Sequence, residues 1–152
     1  MYNSKVNTPK AELEQRIFNL QKYIKKENLD AALVLQRADL FYFTGTIQQA
    51  NLFIPADGEP ILMVYKSTER AKAESSTEQI LHLDSPKSIP DILKANGHAL
   101  PHRLGLELDV LPTNIFFSFK GIFENPQIVD ISQAIRLIRA VKSPYGIDMI
   151  RR

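Results

Sequence analysis

Asp30-Ala31-Ala32-Leu33-Val34-Leu35 is an unbroken apolar run behind a single aspartate. It is too short for a buried helix and has no polar face, so it reads as a strand covered on both sides. A strand of that kind needs helices above and below its sheet, which places the chain in the α/β class. The residues before it supply the first cover. Leu13, Ile17, Leu20 and Ile24 recur at helical spacing, with Thr8 as the expected N-cap, Pro9 at the first helical position and Asn28 at the end.

After the run, Asp39 to Thr46 is rich in aromatic residues and closes at Gly45, which predicts a short turn and then an edge of the sheet. Strands are expected near Ala50 to Ile54 and Ile61 to Tyr65, with Asp57-Gly58 as the hairpin turn between them. Ser67 to Ser75 reads as a surface helix, Ile80 to Leu83 as a strand, and Ser88 to Ala95 as a helix stopped by Asn96-Gly97. Arg103 to Asp109 is the next expected strand. A helix from Pro112 to Lys120 follows, burying Ile115, Phe116 and Phe119 and ending at Gly121. Gln127 to Val129 is the last strand. Asp130 or Ser132 then caps a helix that turns Ala134, Ile135, Ile138 and Val141 inward and Arg136, Arg139 and Lys142 outward. The alternation predicts a three-layer α/β/α domain with a mixed sheet, formed by residues 1–142.

Composition narrows the function classes. The 152 residues are 44% hydrophobic and 24% charged, an ordinary globular balance. No Cys is present, which removes thiol nucleophiles and thiolate metal sites and fits a cytoplasmic location. No signal peptide or membrane span is legible. The net charge of +2 is too small, and Lys22, Lys25 and Lys26 too mixed with Glu12, Glu14 and Glu27, to predict a nucleic-acid partner.

Catalytic patterns are sparse. The sequence has no Gly-rich phosphate loop and no Gly-x-Ser-x-Gly elbow. His98 and His102 have the spacing of a helical metal pair, but Gly97 and Pro101 make them loop residues, and His82 falls within a strand. Glu107 and Asp109, two apart on a strand, would share a face. With Asp84 and Asp130 they could gather for metal-assisted phosphoryl transfer. The commoner role of acids at strand ends is to cap the next helix or face water, and Asp130 is placed for that.

Four stretches taken in order carry a resemblance. They are Asp30-Ala31-Ala32-Leu33-Val34, Tyr42-Phe43-Thr44-Gly45, Leu104-Gly105-Leu106-Glu107, and Arg136 to Pro144 with Ile147 and Ile150-Arg151 behind it. Together they resemble the N-terminal domain of the creatinase, prolidase and aminopeptidase P family. The resemblance implies a mixed-sheet module with a ribonuclease H-like motif, non-catalytic itself, that supports dimerisation and active-site closure. The family's catalytic domain binds a dinuclear metal centre (Mn, Co or Zn) and typically cleaves Xaa-Pro bonds. No metal ligand or catalytic residue of the family maps onto this sequence, so no catalytic, cofactor-binding or metal residue and no activity is expected from this chain alone.

Implied partners are the chain's own C-terminal catalytic domain and a second copy in a homodimer. Ser143-Pro144 is expected to start a linker helix over 143–152 toward that domain, with Gly146 where the family's usual Glu would close a capping box, and the pattern predicts a fragment. Tyr42, Thr44, Gly45, Gln48 and Gln49 are the candidate residues facing a cleft or partner. A free-standing module that binds a small ligand at the strand ends is the alternative.

Overall fold

The computed structural model describes residues 7–151; residues 1–6 and 152 lie outside it. The elements are α1 (Lys10–Lys26), β1 (Ala31–Val34), α2 (Arg37–Thr44), β2 (Ala50–Pro55), β3 (Ile61–Val64), α3 (Thr68–Glu74) and β4 (Gln79–His82). A short 3₁₀ turn, Pro86–Ser88, leads to α4 (Ile89–Ala95), β5 (Arg103–Leu106), α5 (Thr113–Ile122), β6 (Gln127–Asp130), α6 (Ser132–Ala140) and α7 (Pro144–Arg151).

The sheet order is β4-β3-β2-β1-β5-β6. β2 is antiparallel to both of its neighbours, while β3–β4, β1–β5 and β5–β6 are parallel. Only β2 therefore runs against the rest, and the other strands share one carboxyl end. As expected for a strand without a polar face, all of β1 is buried. Ala32 and Val34 face a core shared with Leu20, Ile24, Leu40, Phe43 and Ile135, from α1, α2 and α6. Ala31 and Leu33 face a second core shared with Leu93, Phe119 and Phe123, from α4, α5 and its end. The sheet is thus sandwiched between two helical layers.

Closeness on the first face explains a glycine. A Cβ on Gly105 would lie 2.6 Å from Cγ2 of Ile131, so any side chain there forces β5 and the start of α6 apart. At the amino ends of the strands Asp30 Oδ2 accepts the backbone N–H groups of His102 and Arg103. The Arg103 guanidinium donates to the carbonyls of Asn28 and Glu27, closing the C-terminus of α1.

Several expectations need correction. Asp39 to Thr46 is not a turn and a sheet edge. Residues 37–44 form α2, started by the Gln36 side chain accepting from Asp39 N–H and ended by Gly45 at φ 81°. Its inward residues, Leu40, Phe43 and Thr44, follow helical spacing, and Phe41 is exposed. Thr8 does not cap α1. Pro9 holds the cap position, and its carbonyl accepts from Glu12 and Leu13.

β5 stops at Leu106 because the chain turns there, so Glu107 is buried and Asp109 exposed instead of sharing a face. Gly121 lies inside α5, which continues to Ile122, and of the three residues expected inside only Phe119 is fully buried. Val141 follows the end of α6 and is 77% exposed.

Candidate functional site

Where the parallel strands end, the loops separate and leave a cavity of about 310 Å³. Its walls come from the ends of β1 and β3, the start of β2, the turn after β5 and one side of α5. The placement follows from topology, since loops leaving neighbouring carboxyl ends in different directions open a crevice. Leu35, Val110, Leu111, Ile115 and Phe119 make most of it apolar.

Two buried polar residues interrupt that lining. Asn51, on β2, donates its amide N–H to the Tyr65 hydroxyl at 2.8 Å, and its Oδ1 has no protein partner. Glu107 is 2% exposed, and its Oε1 accepts the backbone N–H groups of Leu35 at 2.8 Å and Gln36 at 3.2 Å. These bonds tie the exit of β1 to the end of β5. Burial pushes the Glu107 carboxyl up to about 9, helped by its hydrogen bond with the Asp39 carboxyl and opposed by the two backbone donors. Glu107 Oε2 lacks a donor because its neighbour is a second carboxyl. A proton on Glu107 resolves the pair, turning Oε2–H into a donor toward Asp39.

Asp39 passes the connection onward. Its Oδ1 accepts from Arg139 of α6 at 2.7 Å, an ion pair between residues 100 apart in sequence. The guanidinium carbons of Arg139 and Arg16 lie 5.5 and 4.3 Å from the centre of the Tyr42 ring. Arg16 also donates to the Tyr42 carbonyl and to Glu12 Oε2, both at 2.8 Å. Burial holds the Tyr42 phenol above its ordinary range, against the pull of the two guanidinium groups. Glu12 Oε2 accepts from the Ser143 hydroxyl at 2.8 Å, and Ser143 Oγ accepts Gly146 N–H at 3.0 Å, capping α7. One polar path thus runs from the strand ends to the start of α7.

The five sequence candidates do not meet in one place. Tyr42 lines a second cavity, of about 250 Å³, between α1, α2 and α7, whereas Gln49 lines the strand-end cavity. The Thr44 hydroxyl is spent within the turn, donating to the Leu40 carbonyl and accepting from Thr46 N–H. Gly45 supplies the left-handed end of α2, and Gln48 is half-buried, its N–H donating to Thr46 Oγ1. Sequence reading missed Asn51, Tyr65, Asp39, Arg16 and Arg139. Asp39 and Arg139 had no local signal, and Asn51 was visible only as a polar residue inside an apolar strand.

The other acids and histidines are dispersed. His82 pairs with Asp84 at the surface, and His98 packs its ring edge against Phe53. Ile131, not Asp130 or Ser132, holds the cap position of α6; Asp130, one residue ahead of it, accepts from the Ser132 N–H and hydroxyl, and Asp109 pairs with Arg136. Among the described residues no three His, Cys, Asp or Glu side chains lie close enough to hold a metal ion. No helix among them is long and apolar enough to cross a membrane.

Comparison with known proteins gives this arrangement relatives. Residues 16–141 match the sequence profile of the Creatinase/Prolidase N-terminal domain. A curated protein of Sinorhizobium fredii, the uncharacterized hydrolase/peptidase y4tL, is 24% identical, with 94% of this chain and 42% of that protein aligned. The chain therefore spans less than half the length of that relative. Among solved structures, a proline dipeptidase from Streptococcus pneumoniae superposes with TM-score 0.72 at 26% identity, covering 83% of this chain and 98% of the other. An Xaa-Pro dipeptidase from Bacillus anthracis superposes with TM-score 0.76 at 16% identity, covering 90% and 38% respectively, and shows likeness of fold.

Proposed function

The chain belongs to the creatinase/prolidase N-terminal domain family, and on that premise we propose that it is the non-catalytic N-terminal domain of a metal-dependent Xaa-Pro dipeptidase- or aminopeptidase-like hydrolase. In this reading residues 143–152 begin the linker helix. The catalytic domain beyond them holds the dinuclear metal, and the whole protein is a cytoplasmic homodimer. Among the described residues no three metal-ligating side chains gather, and in this reading the chain contributes to docking and to closing part of the active-site cleft.

The observation that carries the reading is an apolar group around the Tyr42 cavity. Phe41, Val141, Met149 and Ile150 come from α2, the α6–α7 junction and α7, and each is exposed, Ile150 by 69%. Solvated apolar side chains gathered where a linker helix leaves are suited to a covering domain. The bonds of Ser143 to Glu12 and to Gly146 N–H hold the start of α7 on this domain, which supports its reading as a linker helix.

The test compares this chain with the full-length product of its gene, using Xaa-Pro dipeptides and added manganese. The full-length protein is expected to turn over substrate and the 152-residue chain to be inactive. Turnover that scales with the short chain and survives repurification overturns the reading. In the full-length protein, Gln48→Ala and Gln49→Ala are each expected to lower kcat/KM about tenfold, about 1.4 kcal/mol of transition-state stabilisation. Full activity in both variants leaves the 42–49 segment with a structural role alone.

A further inference from the structure

We propose that the strand-end cavity is a binding site for a small neutral amide, recognised by Asn51 and Tyr65. The inference is independent of the catalytic-domain reading.

The polar groups in the wall select the ligand class. Asn51 uses one amide N–H on the Tyr65 oxygen, which leaves two complementary groups side by side. Asn51 Oδ1 is an acceptor without a protein partner. The Tyr65 hydroxyl, already accepting from Asn51, still has its own proton to donate. A carboxamide presents the matching pair, with its N–H to Asn51 Oδ1 and its carbonyl to the Tyr65 O–H. A ketone satisfies half of this arrangement, and an alcohol can serve either group singly.

Charge is selected against by the rest of the wall. Apart from Tyr65, the only ionisable side chain lining the cavity is Glu107, whose carboxyl is committed to the Leu35 and Gln36 N–H groups on one oxygen and to Asp39 on the other. An ionic ligand would lose its hydration with no counter-charge facing it, so the site favours neutral molecules. The surrounding Leu35, Leu111, Ile115 and Phe119 call for an apolar body on the amide. At about 30 Å³ per water-sized unit, the volume accommodates roughly ten non-hydrogen atoms. Asn51 lines the cavity but has no exposed surface, so a ligand reaches its Oδ1 with a small displacement of the cavity wall that leaves the Asn51–Tyr65 bond in place.

Benzamide fits these requirements and serves as the probe, with acetophenone (no N–H) and benzoate (charged) as matched controls. Amide NMR of the isotopically labelled 152-residue chain is expected to show saturable shifts at Asn51, Tyr65 and Glu107, with a benzamide dissociation constant of about a millimolar. Acetophenone should bind about tenfold more weakly, because it leaves the Asn51 acceptor unmet. Benzoate should give no saturable shift there. Val110→Trp, at the half-exposed rim, fills the space without touching Asn51 and should abolish benzamide binding. Asn51→Leu should make benzamide and acetophenone bind alike. Absence of saturable benzamide shifts at these residues, or an unchanged dissociation constant in Val110→Trp, overturns the site. Equal binding of benzamide and acetophenone to the unsubstituted chain, or benzoate binding as tightly as benzamide, overturns the amide assignment.

Discussion

The two faces of the sheet are covered differently. The face under α1, α2, α3 and α6 is aliphatic and tight, to the point that only glycine fits at position 105 beneath Ile131. Its outer rim is crossed by a chain of charges from Asp39 through Arg139 and Arg16 to Glu12. The face under α4 and α5 is rich in phenylalanine, leaves Phe117 exposed, and stays open at the strand ends. Two short helices cannot shield the full width of a six-stranded sheet, and the uncovered end becomes a cavity. Four helices cover the middle of their face and leave cavities only at its margins, one of about 440 Å³ beside α1, with charge pairs to fix how they sit. Glu107 stands at the boundary, lining the open cavity with one side and touching the charged network with the other.

The sharpest way to break this comparison is therefore at Glu107. Glu107→Ala strips the Leu35 and Gln36 N–H groups of their acceptor and is expected to cost about 3 kcal/mol in urea unfolding. Glu107→Gln retains an acceptor for those groups and a donor for Asp39, so it should match the unsubstituted protein within about 1 kcal/mol at about pH 4, below the ordinary carboxyl range, and be the more stable of the two at neutral pH. The two variants also separate charge from shape through pH. Because the folded carboxyl is raised, folding takes up a proton above the ordinary carboxyl range. The stability it contributes is full below that range and is lost as pH rises through about 9. Unsubstituted protein should thus lose stability relative to Glu107→Gln between about pH 5 and about pH 9, with a slope of up to about 1.4 kcal/mol per unit. A constant difference across that range would show that Glu107 is ionised in the fold.

Next in size is the closed face. Gly105→Ala should cost about 2 kcal/mol by overpacking against Ile131, read as a lower urea midpoint with an unchanged slope. Arg139→Ala removes a partner of Asp39 at a partly exposed position and should cost about 1 kcal/mol, less at high salt. The smallest effect belongs to the open face. Ser118→Leu adds volume beside the strand-end cavity and should change stability by no more than about 0.5 kcal/mol. If Ser118→Leu and Gly105→Ala cost the same, the two faces are equally packed and the contrast fails.

The six strands, the helices other than α2 and the layered mixed sheet were legible because their signals are local. β1 announced itself by an apolar run, α1 by its heptad-like spacing, and the β2–β3 hairpin by Asp57-Gly58. The segment before Gly45 was read with the wrong period, although Leu40, Phe43 and Thr44 already carried the helical one. The resemblance to the creatinase and prolidase N-terminal domain was likewise contained in short ordered stretches, and the match over residues 16–141 agrees with it.

What the tertiary structure decided is of another kind. Hydrophobic periodicity and turn chemistry act over a few residues, so a single chain can display them before it folds. The pairing of Asp39 with Arg139, the raised carboxyl of Glu107 and the unpartnered carbonyl of Asn51 depend on which groups packing brings together and which it leaves without a partner. Such contacts join residues far apart in sequence, and their chemistry arises from burial in a low-dielectric interior that exists only once both helical layers have closed on the sheet.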